Sequence, residues 1–261
     1  MIIDTHAHIH QHDEYEIPEI ISRALESNVS KIITAGVNIT DSELSLRIAN
    51  KYENVYSGVG IHPEEIKSPI SKKDIKALKS LSKENKVKVI SEIGLDNQKT
   101  SPEIKIQEEG FYEQIKLAKE EKLPIIFHIR EENNDFEESF AKDIAINIFS
   151  ELSIGDIGGA AHYFAGKWDY AKKLLDLGLL ISFAKPIIYN KSLHETVSKI
   201  PSDKIIVETD SYPQHYKPDR SKWTEPKDIS NIVNKIAEIK QINRKFIEEK
   251  IYNNSIKLLN F

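Results

Sequence analysis

The chain has 261 residues and a formal net charge of −5; it is 39% hydrophobic and 30% charged, and it contains no cysteine. The missing cysteines exclude disulfides, thiolate metal sites and cysteine nucleophiles together, and they suit the cytoplasm. No apolar run approaches the roughly 18 residues that span a membrane, no secretory leader is visible, and the acidic balance speaks against a broad nucleic-acid-binding face, though not against a small site gripping one or two phosphates.

Apolar, β-rich runs recur at 1–4, 31–36, 55–60, 87–94, 123–128, 158–162, 179–184 and 204–210. They are short and several alternate little, as expected of strands buried on both faces of a parallel sheet. Amphipathic helical stretches stand between them. In "EIPEIISRALESN" (16–28), Ile17, Ile20, Ile21, Ala24 and Leu25 share one stripe, and 41–52, 72–85, 106–122, 167–178 and 190–200 behave likewise. Ser101 and Pro102 read as the N-cap and first turn of a helix, and Gly178 as a C-terminal glycine cap. The segment "REENNDFEESF" (130–140) is too acidic for a core and reads as a loop over a rim. Two further helices, 228–240 and 243–259, close the chain. Strand then helix, eight times over, is the pattern of an α/β (β/α)8 TIM barrel, here with C-terminal helices, which needs about 250 residues. An open doubly wound sheet is the other arrangement with this alternation. No linker or internal repeat interrupts the chain, so 1–261 reads as a single domain.

The opening "MIIDTHAHIH" sets Asp4, His6 and His8 at alternate positions of a strand, so that they project together. Neighbouring imidazoles are ready metal ligands. The other unusual polar residues also fall at strand ends: His62 after the third strand, Glu92 and Asp96 at the fourth, His128 at the fifth, His162 at the sixth and Asp210 at the eighth. A barrel gathers all these ends on one face. One strand-end histidine is more often a satisfied hydrogen-bonding group than a ligand. A lone aspartate there often caps the next helix, the role expected for Asp41 and Asp96. His10, His12, His194 and His215 read as surface residues. Four histidines and two carboxylates meeting in one place are a different matter, because burying that much polarity without a cation is costly.

The motifs "DTHAH" (4–8), "GIHPEE" (60–65), "SEIGLD" (91–96), "IIFHIRE" (125–131), "AHYFAG" (161–166) and "ETDSYP" (208–213) stand in the order and spacing of the TatD family, metal-dependent deoxyribonucleases and related hydrolases of the amidohydrolase-like barrel superfamily. The chain resembles that family nearly end to end. The resemblance implies a first divalent ion on His6, His8, Glu92 and Asp210, with Glu92 bridging to a second on His128 and His162. It implies that Asp210 orients or deprotonates the attacking water and that His62 and Arg130 touch the substrate phosphate. Asp4 is expected to support the first histidines. The cofactor implied is two divalent metal ions, Mg, Mn or Zn, and the substrate a DNA or nucleotide phosphodiester cut from a 3′ end. Hydrolysis of a C–N or carboxylic ester bond, as in amidohydrolases and deacylases, is the alternative activity; a metal-stabilised barrel that binds without catalysis is the third reading. Relatives often carry "HCFSG" where this chain has "HYFAG", so that Tyr163 is bulkier and either stacks on a base or narrows the pocket. The usual "SPY" order is "SYP" here. Lys185 lies near the rim and is read as solvated, 131–138 is acidic and 217–223 locally basic.

Overall fold

The computed structural model describes residues 1–261. Eight parallel strands pair in chain order: β1 (Ile2–Ala7), β2 (Val29–Ala35), β3 (Val55–Val59), β4 (Val87–Asp96), β5 (Ile125–Arg130), β6 (Gly159–Ala161), β7 (Leu180–Phe183) and β8 (Ile205–Val207). The seam between β8 and β1 is closed just beyond the last strand. There the Asp210 amide donates to the His6 carbonyl at 3.0 Å, and the His8 amide donates to the Ser211 carbonyl at 2.7 Å. Around the sheet run α1 (Ile17–Glu26), α2 (Ile39–Lys51), α3 (Lys72–Leu81), α4 (Ile104–Glu121), α5 (Phe140–Glu151), α6 (Trp168–Asp176), α7 (His194–Lys199), α8 (Ile229–Lys240) and α9 (Arg244–Leu259). This is the TIM barrel with C-terminal helices that the alternation predicts.

A cluster of 52 buried side chains fills the space between strands and helices. A smaller one, with Ile33, Val89, Ile126, Ala160, Ile206 and, from α9, Leu259, lies inside the barrel. Ile126, Ala160 and Ile206 each precede a polar residue of the site by two positions. The period of a strand therefore places them on the same inward face, one layer below. Each fully buried isoleucine or valine of this kind stabilises the fold by roughly 1.5–3 kcal/mol, so the barrel rests on apolar burial and the polar layer above it is free to be specialised.

Three local features differ from expectation. Helix α4 begins at Ile104 with Glu103 before it, and Ser101 instead donates its hydroxyl to Asp96 Oδ1 at 2.7 Å. Helix α5 is an element that the acidic stretch before it conceals: the buried Glu131 carboxylate accepts the amides of Ala141 and Lys142 at 3.2 and 2.9 Å, capping the helix from ten residues upstream. Glu131 is thus interior rather than on the rim. Gly178, with φ +83°, follows α6 as anticipated. Gly94 (φ +149°) sits opposite His128 in the β4–β5 pairing, and a Cβ there would lie 1.8 Å from the His128 carbonyl oxygen.

Candidate metal centre

Glu92, the hub of the polar layer, lies midway along β4 and not at its end, because the strand runs on to Asp96. Its Oε2 lies 3.4 Å from His6 Nε2 and 3.7 Å from His8 Nε2. Its Oε1 lies 3.2 Å from His128 Nδ1, and 3.4 Å from both His162 Nε2 and His62 Nε2. One buried carboxylate thus turns each oxygen to a different group of imidazoles. Asp210 completes the ring, with Oδ1 3.4 Å from His8 Nε2. Its backbone is left-handed, φ +48°, a conformation that costs a non-glycine residue about 1 kcal/mol or more and is held here by the seam bonds to β1.

The outer partner of each ring sets which nitrogen carries the proton. His8 Nδ1 faces the Ala35 carbonyl at 2.7 Å, so it is the donor and Nε2 is left with a lone pair. His162 Nδ1 lies 2.7 Å from Glu208 Oε1, with the same result. For His128 the roles invert: Nε2 bonds Asp96 Oδ2 at 2.9 Å and frees Nδ1. His6 Nδ1 sits 3.3 Å from the Ser91 hydroxyl, and its Nε2 is 3.2 Å from His8 Nε2. Two nitrogen lone pairs at that separation require a proton or a cation between them. His62 is the exception. Its Nδ1 accepts the Glu64 amide at 3.2 Å, so Nε2 carries hydrogen and presents a donor to Glu92, not a lone pair.

Electrostatics point the same way. Burial pushes the Glu92 carboxyl up, but the imidazoles of His62 and His162 and hydrogen bonds from His128 and His6 outweigh it and hold it well below the usual carboxylate range. Burial opposes charge on His128 and His162; Asp96 and Glu92 nonetheless raise the first to about 9, and Glu208 and Glu92 raise the second to about 10. The pocket therefore has more negative charge than its neutral imidazoles can answer, and a cation that enters displaces protons. Three sets of ligand atoms, His6–His8–Glu92, His6–His162–Asp210 and His62–Glu92–His128, each lie within 4.8 Å of one another. The donor set is nitrogen and oxygen only, with no thiolate to favour a soft ion. The residues present fit a divalent metal centre.

All eight residues singled out from sequence, His6, His8, His62, Glu92, His128, Arg130, His162 and Asp210, gather at this end of the barrel. His62 stands closer to Glu92 than a purely substrate-facing residue would. Arg130 is at the mouth, with Nε bonded to Asn134 Oδ1 at 2.7 Å and Nη1 3.7 Å from Asp96.

Other expectations need correcting. Asp96 caps no helix; it continues β4 and orients His128, and its carboxyl is lowered to about 2 because bonds from His128 and Ser101 outweigh burial. Asn38, not Asp41, caps α2. Asp41 instead faces His10 Nε2 at 3.0 Å, while His10 Nδ1 lies 2.6 Å from Thr34 Oγ1. His10 and His12 are buried, His12 beside Glu16 and Trp223. His194 is half-buried, and only His215 is exposed as read. Asp4 does not contact the imidazole rings: the register of β1 shifts between Asp4 and Ala7, and Asp4 accepts the Thr209 amide at 2.9 Å, contacts its hydroxyl and reaches His6 only at the backbone amide. It braces the segment that carries Asp210. Lys185 donates to the Thr224 hydroxyl at 3.2 Å, and Arg220 of the basic stretch is paired with Glu16 and Glu225. Glu208 was passed over. It is fully buried, takes the Ser182 hydroxyl and the Tyr163 amide, both at 2.5 Å, and orients His162. Its position two residues before Asp210, in "ETDSYP", is the signal the sequence offers.

A cavity of about 760 Å³ opens over the cluster. No helix is long and apolar enough to cross a membrane.

Comparison with known proteins agrees with this geometry. The pattern of the family described as TatD related DNase matches residues 3–260. An uncharacterized metal-dependent hydrolase, YabD of Bacillus subtilis, is 31% identical over 93% of this chain and 92% of its own. The 3′-5′ ssDNA/RNA exonuclease TatD of Klebsiella pneumoniae is 27% identical over 84% of this chain and 82% of its own. Among solved structures, the TatD homolog YjjV of Escherichia coli superposes with a TM-score of 0.86 at 24% identity, covering 100% of this chain and 98% of that one. The chain belongs to the TatD related DNase family of metal-dependent hydrolases.

Proposed function

We propose that residues 1–261 act as one phosphodiesterase that depends on two divalent ions, Mg, Mn or Zn, and removes nucleotides from the 3′ end of DNA. The observation that carries this reading is the Glu92 carboxylate, with Oε2 toward His6 and His8 and Oε1 toward His128 and His162. In the proposal His6, His8, Glu92 and Asp210 hold one ion, and Glu92, His128 and His162 hold the other. Bound there, the ions polarise the phosphodiester and lower the pKa of water. Asp210 takes the proton of the attacking water and aims it at phosphorus. Arg130 and the Nε2–H of His62 hold the phosphate oxygens, and a grip of this kind for anionic oxygens favours a phosphodiester over an amide. The exonuclease name of the Klebsiella relative supports the substrate. The cysteine-free composition suits work in the cytoplasm.

The test is to strip the protein with chelator and restore it with each metal beside end-labelled single-stranded DNA. Chelation is expected to abolish cleavage and leave far-ultraviolet circular dichroism intact, because the apolar core stands apart from the site. Re-addition of one of the three ions restores laddering from the 3′ end. DNA left uncut with every ion, or a chain that unfolds on chelation, overturns the reading.

His62 separates ligation from substrate binding. His62→Ala is expected to lower kcat/KM for phosphodiesters by about ten-fold or more, the value of a charge-assisted hydrogen bond, while elemental analysis still finds both ions. Loss of an ion in that variant would make His62 a ligand.

A further inference from the structure

The cavity over the cluster has two unlike sides. The segment after β3 and the last residues of β4 and β5 bring charge: Glu64, Glu65, Asp96 and Arg130. The segments after β6, β7 and β8 bring three tyrosines, Tyr163, Tyr189 and Tyr212. Tyr163 and Tyr189 are 39% and 67% exposed. A single exposed tyrosine needs no explanation, but three on one wall of the cavity that holds the reactive cluster do. Tyr163 is placed with care. Its φ is +45°, and its amide is tied to Glu208, the residue that also orients His162. Its ring centroid lies 5.8 Å from that of His162.

Arg130 is the one lysine or arginine that lines the cavity, against five carboxylates, Glu64, Glu65, Glu92, Asp96 and Asp210. Such a lining has grip for one phosphate and none for a run of them. Whatever else of a nucleic acid is held must be held through its bases, and every base offers a flat face to a tyrosine ring.

Resting on the phosphodiesterase reading, we infer that the tyrosine wall is a base-stacking subsite: it takes the nucleobase of the terminal nucleotide while the adjoining phosphate lies between the Glu92 cluster and Arg130. The wall sets the preference for nucleotides over other phosphodiesters, and it does so without reading sequence.

Two esters with the same scissile bond and leaving group test it. Thymidine 5′-(p-nitrophenyl phosphate) carries a base, and methyl p-nitrophenyl phosphate does not. The ratio of kcat/KM for the two is measured in the metal-loaded wild type and in Tyr163→Ala, Tyr189→Ala and Tyr189→Phe. The Ala variants are expected to lower the ratio by about ten-fold to a hundred-fold, the usual effect of losing one stacked ring, through KM rather than kcat, and Tyr189→Phe to keep it. An unchanged ratio in both Ala variants overturns the inference while the phosphodiesterase stands. Equilibrium dialysis of thymidine monophosphate separates the two ideas further. If the wild type cleaves neither ester but binds the nucleotide more tightly than Tyr189→Ala does, the phosphodiesterase falls and the base subsite stays. Equal binding then removes both.

Discussion

Glu92→Gln is expected to lower kcat by about 10³-fold or more, and to leave less than one ion per chain where the proposed centre of the wild type would hold two. The size follows from what the proposal asks of one side chain. Glu92 serves both ions, so its loss is felt twice, and removing even a single electrostatic contributor to a transition state costs about 10²–10³-fold. Gln keeps the shape and one oxygen. Its amide nitrogen must then face either His6 and His8 or His128 and His162, and in both directions it offers hydrogens to nitrogen lone pairs that the ions are meant to fill. The fold is expected to hold, because it rests on the apolar core and not on this polar layer. Elemental analysis, circular dichroism and turnover on one preparation check this. A folded variant that keeps two ions would show that the bridge is not Glu92.

Asp210→Asn should cost at least about 10²-fold in kcat, the low end for loss of a general base, and excess metal should not restore it. An ion beside His128 and His162 would be retained, since Glu92 and both imidazoles remain to hold it. Burial pushes the Asp210 carboxyl up, but His8 and His162 outweigh it and hold it below the usual carboxylate range, so the base form persists through neutral pH and is lost only in strong acid. The wild-type rate therefore falls on the acid side as that carboxylate takes up its proton, and the residual rate of the variant lacks this limb. Near-wild-type turnover at saturating metal would place the base elsewhere.

The barrel and the ring around Glu92 were legible because each depends on local signals that repeat: a short apolar run, then a polar residue at its end. What escaped depends on partners far along the chain. His10 and His12 look like part of a loose N-terminal loop, but the turn at 9–11 folds them onto Thr34, Asp41 and Glu16, which no local pattern announces. Asp96 resembles a helix cap because a helix follows, yet β4 runs through it and hands it to His128, 32 residues later. Glu208 was overshadowed by Asp210. Beyond the end of β8 the chain turns through the left-handed Asp210, so that one carboxylate comes to the cluster and the other lies behind His162, which a strand's alternation does not announce.

Gly94 shows what this arrangement demands of a lineage. The strands that carry Glu92 and His128 meet there so closely that a methyl group would strike the His128 carbonyl. Every missense change of that codon, to alanine as much as to tryptophan, must push the two strands apart and with them the two halves of the ring. The tyrosines at the mouth can drift and retune what is bound, because their neighbours are solvent and substrate. Gly94 has no such neutral neighbourhood. Selection for new substrates can rewrite the loops above it, and it meets at this one glycine a position with a single tolerated allele.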